Sequence, residues 1–243
     1  HGLPPPRILT ESGRAMTAHH AVLIANVSEV EFAPDGAVPT ARDDEPAVVR
    51  HMRELHDELD SRPPLELFHE AQYHVGEGQT MFALGQLSLA DRALLDDLYF
   101  AVMHGVRARL RPEERSHRPV IDELDARQVD KYFVNFSVFE SVPDVWAIEQ
   151  VFPIMPLTRL DERPTRRGIV ADLTCDSDGQ IDHYVDNGEI DTALPLHAPR
   201  AGENYRIGFF MVGAYQDTLG DIHNLFGDTC AINVTIAADG SAT

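Results

Sequence analysis

Three stretches of the chain carry residues whose types and spacing suit chemistry. The first is LTCDSDGQID, residues 173–182, which sets Cys175 directly against Asp176, with Asp178 two residues further on. A thiol beside carboxylates holds its proton more firmly than a free thiol, which suits a proton donor better than a nucleophile. The second is TESGRAMTAHH, residues 10–20. It combines the carboxylate of Glu11, a glycine at Gly13 that permits close backbone approach, and the Arg14 guanidinium, whose fork matches a phosphate. The third is GFFMVGAYQDTLGDIHNLFGDT, residues 208–229, where an apolar run ends at Gly213 and Tyr215. A backbone and a phenol there suit an anionic group, or simply a strand end with an interfacial tyrosine.

Other readings compete at each stretch. Asp176, Asp178 and Gly179 fit positions 3, 5 and 6 of a calcium loop, but Thr174 and Val185 fall where that loop needs an aspartate and a bidentate glutamate. As local structure, 173–182 reads as a strand turning through Asp-Ser-Asp-Gly into the next strand, and loops at strand ends are where reactive side chains are displayed. His19 and His20 are neighbours on a stretch read as strand, so they face opposite sides and suit packing better than one shared metal. No phosphate loop, zinc spacing, dinucleotide fingerprint or Gly-x-Ser-x-Gly elbow occurs.

The elements that must hold these stretches follow from hydrophobic period. Arg7 to Thr10 reads as a short strand, followed by a polar turn, a short helix and an alternating strand from about His20 to Phe32. APDGAVPTARDDEP is a linker. From Pro46 to about Arg111 the period is helical: Val49, Met52, Leu55 and Leu59 share a face, and Ser88 is placed to cap a helix carrying Leu94, Leu95, Leu98, Val102 and Val106. A last helix is expected over Val120 to Lys131. The remainder reads as strands: YFVNFSVF, AIEQVFPIM, RRGIVADLTC, IDHYV, IDTALPL, RIGFFMVGAY and CAINVTIA. The simplest organisation is a β-domain interrupted by a helical insertion.

Composition narrows the partners. Forty acidic against twenty basic residues give a formal charge of −20, which disfavours nucleic acid and anionic lipid and favours cationic ligands. Two cysteines make no disulfide framework, and no long apolar span appears, so a cytoplasmic, membrane-free protein is the expectation. Lys131 is the only lysine. The ends read as cuts, which leads to the expectation of a piece of a longer chain.

Glu-Ser-Gly-Arg-Ala-x-Thr-Ala-His-His, HRPVIDEL, DKYFVNFSVFESVPDVWAIEQVFPIMPL, LTCDSDGQIDHYV and GFFMVGAYQDTLGDIHNLFGDT, in this order, closely resemble the biosynthetic arginine decarboxylases. The resemblance covers nearly the whole chain. It implies an α+β chain: the C-terminal, barrel- or sandwich-like β-domain of a fold-type III pyridoxal-phosphate decarboxylase with a helical-bundle insertion, and with most of the N-terminal (β/α)8 barrel absent. The implied divisions are 1–18, the last barrel strand and its exit; 19–45, the start of the β-domain and a linker; 46–130, the insertion; and 131–243, the rest of the β-domain.

By motif, the resemblance implies that Glu11 pairs with the pyridine nitrogen of pyridoxal 5'-phosphate and that Gly13, Arg14 and Tyr215 bind its phosphate. It implies that Cys175 is the proton donor after CO2 leaves, and that Asp176 or Asp178 meets the far end of L-arginine. It further implies magnesium, an agmatine product for polyamine synthesis, and a homodimer or tetramer in which the Cys-Asp loop reaches into a partner's site. VDKYFVNF does not resemble the family's cofactor-lysine segment, so the isolated chain is expected to be inactive. A non-catalytic interaction module is the alternative, and a calcium-binding β-protein the third.

Overall fold

The computed structural model describes residues 6–186, 188–237 and 239–242. They divide into two compact units: residues 32–129 form one, and the described residues up to Glu31 together with those from Asp130 onward form the other. Along the chain, α1 (Gly13–Thr17) and a 3-10 turn (Ala18–His20) lead into β1 (Val22–Glu31). Four helices follow: α2 (Ala47–Asp57), α3 (Pro64–Ala83), α4 (Leu89–Arg109) and α5 (Arg118–Arg127). Then come β2 (Asp130–Val134), α6 (Val138–Ser141), α7 (Asp144–Ile148), β3 (Ile154–Pro156), β4 (Arg166–Ala171), β5 (Gln180–Ile181), β6 (Tyr184–Asp186), β7 (Glu189–Asp191), β8 (Leu194–Leu196), β9 (Arg206–Phe210) and α8 (Gln216–Leu219).

The helical unit is built as its sequence period dictates. Met52, Leu95, Leu98, Val102 and Val106 are almost wholly shut off from solvent in one continuous apolar core, and full burial of each such side chain contributes about 1.5–3 kcal/mol. Ser88 caps α4 by accepting from the backbone N–H of Asp91 at 3.1 Å, while its hydroxyl donates to the Asp91 carboxylate at 2.6 Å. The α3 terminus is closed by Gly85 in the left-handed region (φ 69°), with Gly85 N–H donating to Phe82 O and Gln86 N–H to Met81 O. That pattern satisfies two carbonyls the helix leaves over. Arg107 grips Asp125 through two nitrogens at 2.6 and 2.9 Å, tying α4 to α5.

The other unit is a seven-stranded sheet in the order β3-β9-β1-β2-β4-β5, with β8 also paired to β4; β6 and β7 form a separate ribbon. Among the described residues only β2 and β4 pair in parallel, a geometry that demands a long connection; α6, α7 and β3 lie within it. Asp130 on β2 takes both Nε and Nη2 of Arg166 on β4, at 2.7 and 2.6 Å. Tyr132, Tyr205 and Phe209 fill the core. The α+β architecture with a helical bundle is as expected.

Several elements differ from their sequence reading. Arg7 to Thr10 and the run from Cys230 form no strand among the described residues, apart from an isolated bridge at Ile236. Ile8 and Leu9 are 83 and 93 % exposed, and Ile232 85 %. Alternating apolar residues supply strand propensity, but a strand also needs a neighbouring edge to take its N–H and C=O groups. AIEQVFPIM divides into the end of α7 and β3, with Glu149 in the left-handed region (φ 55°) closing the helix. The last helix stops at Arg127, so Lys131 lies on β2, where it pairs with Glu31 of β1 at 3.3 Å.

Candidate functional site

Gly13 and Arg14 open α1, and Tyr215 follows the end of β9, so residues two hundred positions apart meet across the sheet end. A Cβ built on Gly13 would stand 3.1 Å from the Tyr215 hydroxyl. Lacking one, Gly13 lets the phenol close over α1. Tyr215 adopts φ 73°, a strained backbone for a bulky residue that persists only where its surroundings enforce it. Gly213 is part of that enforcement: its N–H donates to Ala18 O at 3.0 Å, and a Cβ there would fall 2.4 Å from His20 Nδ1.

The Arg14 guanidinium lies over the Tyr215 ring, 5.1 Å from its centroid. Its Nη2 donates to Asp144 Oδ2 at 2.9 Å. Gln216 Nε2 donates to that same oxygen at 2.8 Å, and Gln216 Oε1 accepts from the Asp144 N–H at 3.2 Å. Asp144 and Gln216 are buried, so this network holds the guanidinium by one edge. The other edge, Nη1, is shut off from solvent with no hydrogen-bond partner. A buried cationic N–H without an acceptor is costly. A buried guanidinium edge beside a phenol, over a cradle that a Cβ would fill, fits the phosphate of the expected cofactor. Glu11 is exposed and meets no partner among the described residues.

The second group centres on the turn after β4. Asp172 is buried, and its carboxylate accepts from Val138 N–H at 2.9 Å, from Thr174 N–H at 2.8 Å and from the Thr174 hydroxyl at 2.7 Å. Gly179 closes the turn against it: Asp172 N–H donates to Gly179 O at 2.7 Å, and a Cβ on Gly179 would stand 2.2 Å from Asp172 Oδ1. Displayed on this frame, Cys175 is exposed and its Sγ accepts from Asn224 Nδ2 at 3.5 Å. The Asp176 carboxylate accepts from Asp178 N–H at 3.1 Å and faces His223 Nε2 at 3.9 Å. His223 packs on Phe139 of α6, centroids 4.2 Å apart. One segment therefore serves both groups, Tyr215 at one end and His223 with Asn224 at the other.

Sequence reading missed residues that hold these groups in place: Asp144, Gln216 and Asp172. The helical His19 and His20 bond back to Ala15 O and Thr17 O. Among the described residues no three His, Cys, Asp or Glu side chains are arranged to hold a metal ion, so the calcium reading and the expected magnesium gain no ligand set there. Among them, too, no helix is long and apolar enough to cross a membrane.

Comparison with known proteins agrees with the sequence reading. Residues 42–125 match the family described as the arginine decarboxylase helical bundle domain. Over 99 % of its length the chain is 68 % identical to the biosynthetic arginine decarboxylase of Xanthomonas axonopodis pv. citri, and over 98 % it is 50 % identical to that of Pseudomonas aeruginosa. It covers 38 % of each of those proteins. Among solved structures, the biosynthetic arginine decarboxylase SpeA from Campylobacter jejuni matches 95 % of this chain and 37 % of its own, at 36 % identity and a TM-score of 0.71. The chain thus spans well under half the length of the curated relatives it matches, and both its helical and its β units have counterparts there.

Proposed function

We propose that this chain supplies the phosphate-binding and proton-donating parts of a pyridoxal-phosphate-dependent decarboxylase that converts L-arginine to agmatine and CO2. The observation that carries the reading is the Arg14 guanidinium, clamped on one edge by Asp144 and left open on the buried other edge beside Tyr215. When bound, the cofactor provides the electron sink that decarboxylation requires. Arg14, Gly13 and Tyr215 hold its phosphate, and Glu11 offers a carboxylate to its ring nitrogen. Cys175, presented by the Asp172 frame, delivers one proton to the α-carbon from a fixed direction. Asp176 and Asp178 give that approach the negative charge a cationic substrate needs. The loop serves the site of a second copy, so the working form is a homodimer or a larger assembly in the cytoplasm. The division at 1–18, 19–45, 46–130 and 131–243 belongs to the same proposal.

One observation favours a second reading, a non-catalytic partner of a separate barrel chain: the only lysine, Lys131, is engaged with Glu31 on the sheet. Joining this chain to the remainder of a relative's length decides between them. Release of CO2 from arginine, abolished by Arg14→Ala and strongly slowed by Cys175→Ala, is expected; no release from the joined wild-type protein sinks the catalytic reading. Cofactor binding is read separately, as quenching of Trp146 fluorescence by pyridoxal phosphate and by pyridoxal. A preference for the phosphorylated form that disappears in Arg14→Ala is the expected outcome.

A further inference from the structure

In the helical unit Arg42, Arg53, Arg62, Arg92, Arg107 and Arg127 each meet a carboxylate. Arg109, half-buried in the last turn of α4, does not. Among the described residues it forms no ion pair, and its one hydrogen bond runs from Nη1 to Arg62 O at 2.8 Å. In a chain with forty acids that exception calls for a reason. Arg109 lines a cleft of about 610 Å³, together with Pro64 at the start of α3, Leu110 at the end of α4, and Arg111, Glu114 and His117 of the connection to α5. A volume of that order suits a small molecule.

We propose that this cleft binds the oxyanion head of a small molecule, a phosphate or a carboxylate, with Arg109, Arg111 and His117 as its donors. It lies wholly within the helical unit, whereas Arg14 and its phosphate cradle belong to the other. A guanidinium that no carboxylate neutralises is the complement of an oxyanion, and its planar fork takes two oxygens at once. His117 adds a directed donor. Its ring is buried, and Nδ1 accepts the Arg111 N–H at 3.0 Å, so the proton of the neutral imidazole sits on Nε2. That nitrogen stands 3.2 Å from Glu114 Oε2, while Glu114 Oε1 stands 3.6 Å from Arg111 Nη1. One carboxylate therefore already lies against two of the three donors, which shows the kind of group they accept. Glu114 and Arg111 are both exposed, and pairs of that sort contribute so little that a ligand can take the carboxylate's place. Pro64 and Leu110 present carbon to a short apolar tail.

The test is calorimetric titration with three probes that share an alkyl tail and differ in the head: butyl phosphate, butyrate and butylamine. The chain carries Arg14→Ala, which removes the phosphate cradle of the β unit as a competing site. At least one of the two anions is expected to bind saturably, at least about tenfold more tightly than butylamine, and the tighter of the two identifies the head as phosphate or carboxylate. Arg109→Ala and Arg111→Ala should each weaken that binding about tenfold. Glu114→Gln, which removes the competing carboxylate, should tighten it. Arg111 is exposed, so its substitution remains informative even where Arg109→Ala, by losing the bond to Arg62 O, fails to fold. No saturable binding of either anion, affinity no greater than for butylamine, affinity that Arg109→Ala or Arg111→Ala leaves unchanged, or affinity weakened by Glu114→Gln overturns the proposal. None of these measurements involves CO2 release by the joined protein, so the cleft and the decarboxylase reading fail separately.

Discussion

The helical unit and the β unit both pair charges, as Arg166 with Asp130 in the β unit, but they differ in the charged groups they leave unpaired. In the helices, charged groups find partners: Arg53 takes the buried Glu45 at 2.6 Å, Arg107 takes Asp125 with two nitrogens, and Arg62 bonds to Glu58, Glu66 and Glu70. In the β unit, Arg14 Nη1 and Glu140 Oε2 are buried without partners. Large apolar side chains do not separate the two in the same way: some are exposed in the helices, at Tyr73, Leu84 and Leu89, and in the β unit, at Ile8, Leu9, Leu225 and Ile232, and each unit has a buried core. Each buried polar atom left unpaired calls for an explanation, and among the described residues most of them lie in the β unit, with Gln128 Nε2 at the end of the helical one; the proposed site draws on Arg14 Nη1.

The comparison breaks most easily at the helical core. Leu95 is wholly buried, its Cδ2 filling the space in which a Cβ on Gly78 would stand. Leu95→Ala should cost about 2–5 kcal/mol, as leucine truncations in well-packed cores do. Far-UV circular dichroism in urea reads the helices, and emission of Trp146, the only tryptophan, reads the β unit. Loss of the helical signal ahead of the Trp146 change supports two separate supports. Coincident loss shows that the units unfold as one.

The frame of the Cys175 turn comes next in size. Asp172→Asn keeps the shape but removes the charge behind its bonds to Val138 N–H, Thr174 N–H and the Thr174 hydroxyl, and hydrogen bonds to charged groups are worth about 1.5–3 kcal/mol each. Faster thiol labelling of Cys175, with little change in the helical signal, is expected. An unchanged labelling rate would show that the turn stands without Asp172.

What could be read in the sequence, and what could not, divides along similar lines. The helical unit announced itself because its period repeats over many residues, and Ser88 was recognisable from three residues of local pattern. The turn at Asp176 to Gly179 was legible for the same local reason. Asp144 was not, since its value lies in meeting Arg14 from 130 positions away. Asp172 and Glu140 each read as one acid among forty. Only burial, a property of the folded chain, separates them from the solvated majority. The strands expected at Arg7 and Cys230 failed for the converse reason: propensity is local, but the edge that would pair with them is not.

The smallest effect sharpens the contrast most. The Arg53 hydrogen bond, ahead of the opposing effect of burial, holds Glu45 below the usual carboxylate range, whereas Asp228 and burial hold Glu140 above it. A depressed acid contributes stability that is present above its unfolded value and is lost as pH falls through that value toward the folded one. A raised acid does the reverse: its contribution is full below the unfolded value and is lost as pH rises from there toward the raised one. Acidification should therefore weaken the helices through Glu45 while it relieves the β unit through Glu140. Within the helices, Asp91 acts with Glu45, held down first by Ser88, and Asp96, raised by burial, acts against it. The difference between wild type and Glu45→Gln, rather than the raw slope, isolates the Glu45 contribution. Melting across the carboxylate range should lose part of its acid sensitivity in the helical signal with Glu45→Gln. With Glu140→Gln, the Trp146 signal should lose part of its sensitivity to rising pH. Equal slopes in both variants and wild type would mean that neither buried acid differs between the folded and unfolded chain, and the contrast between paired and unpaired charge would lose its energetic content.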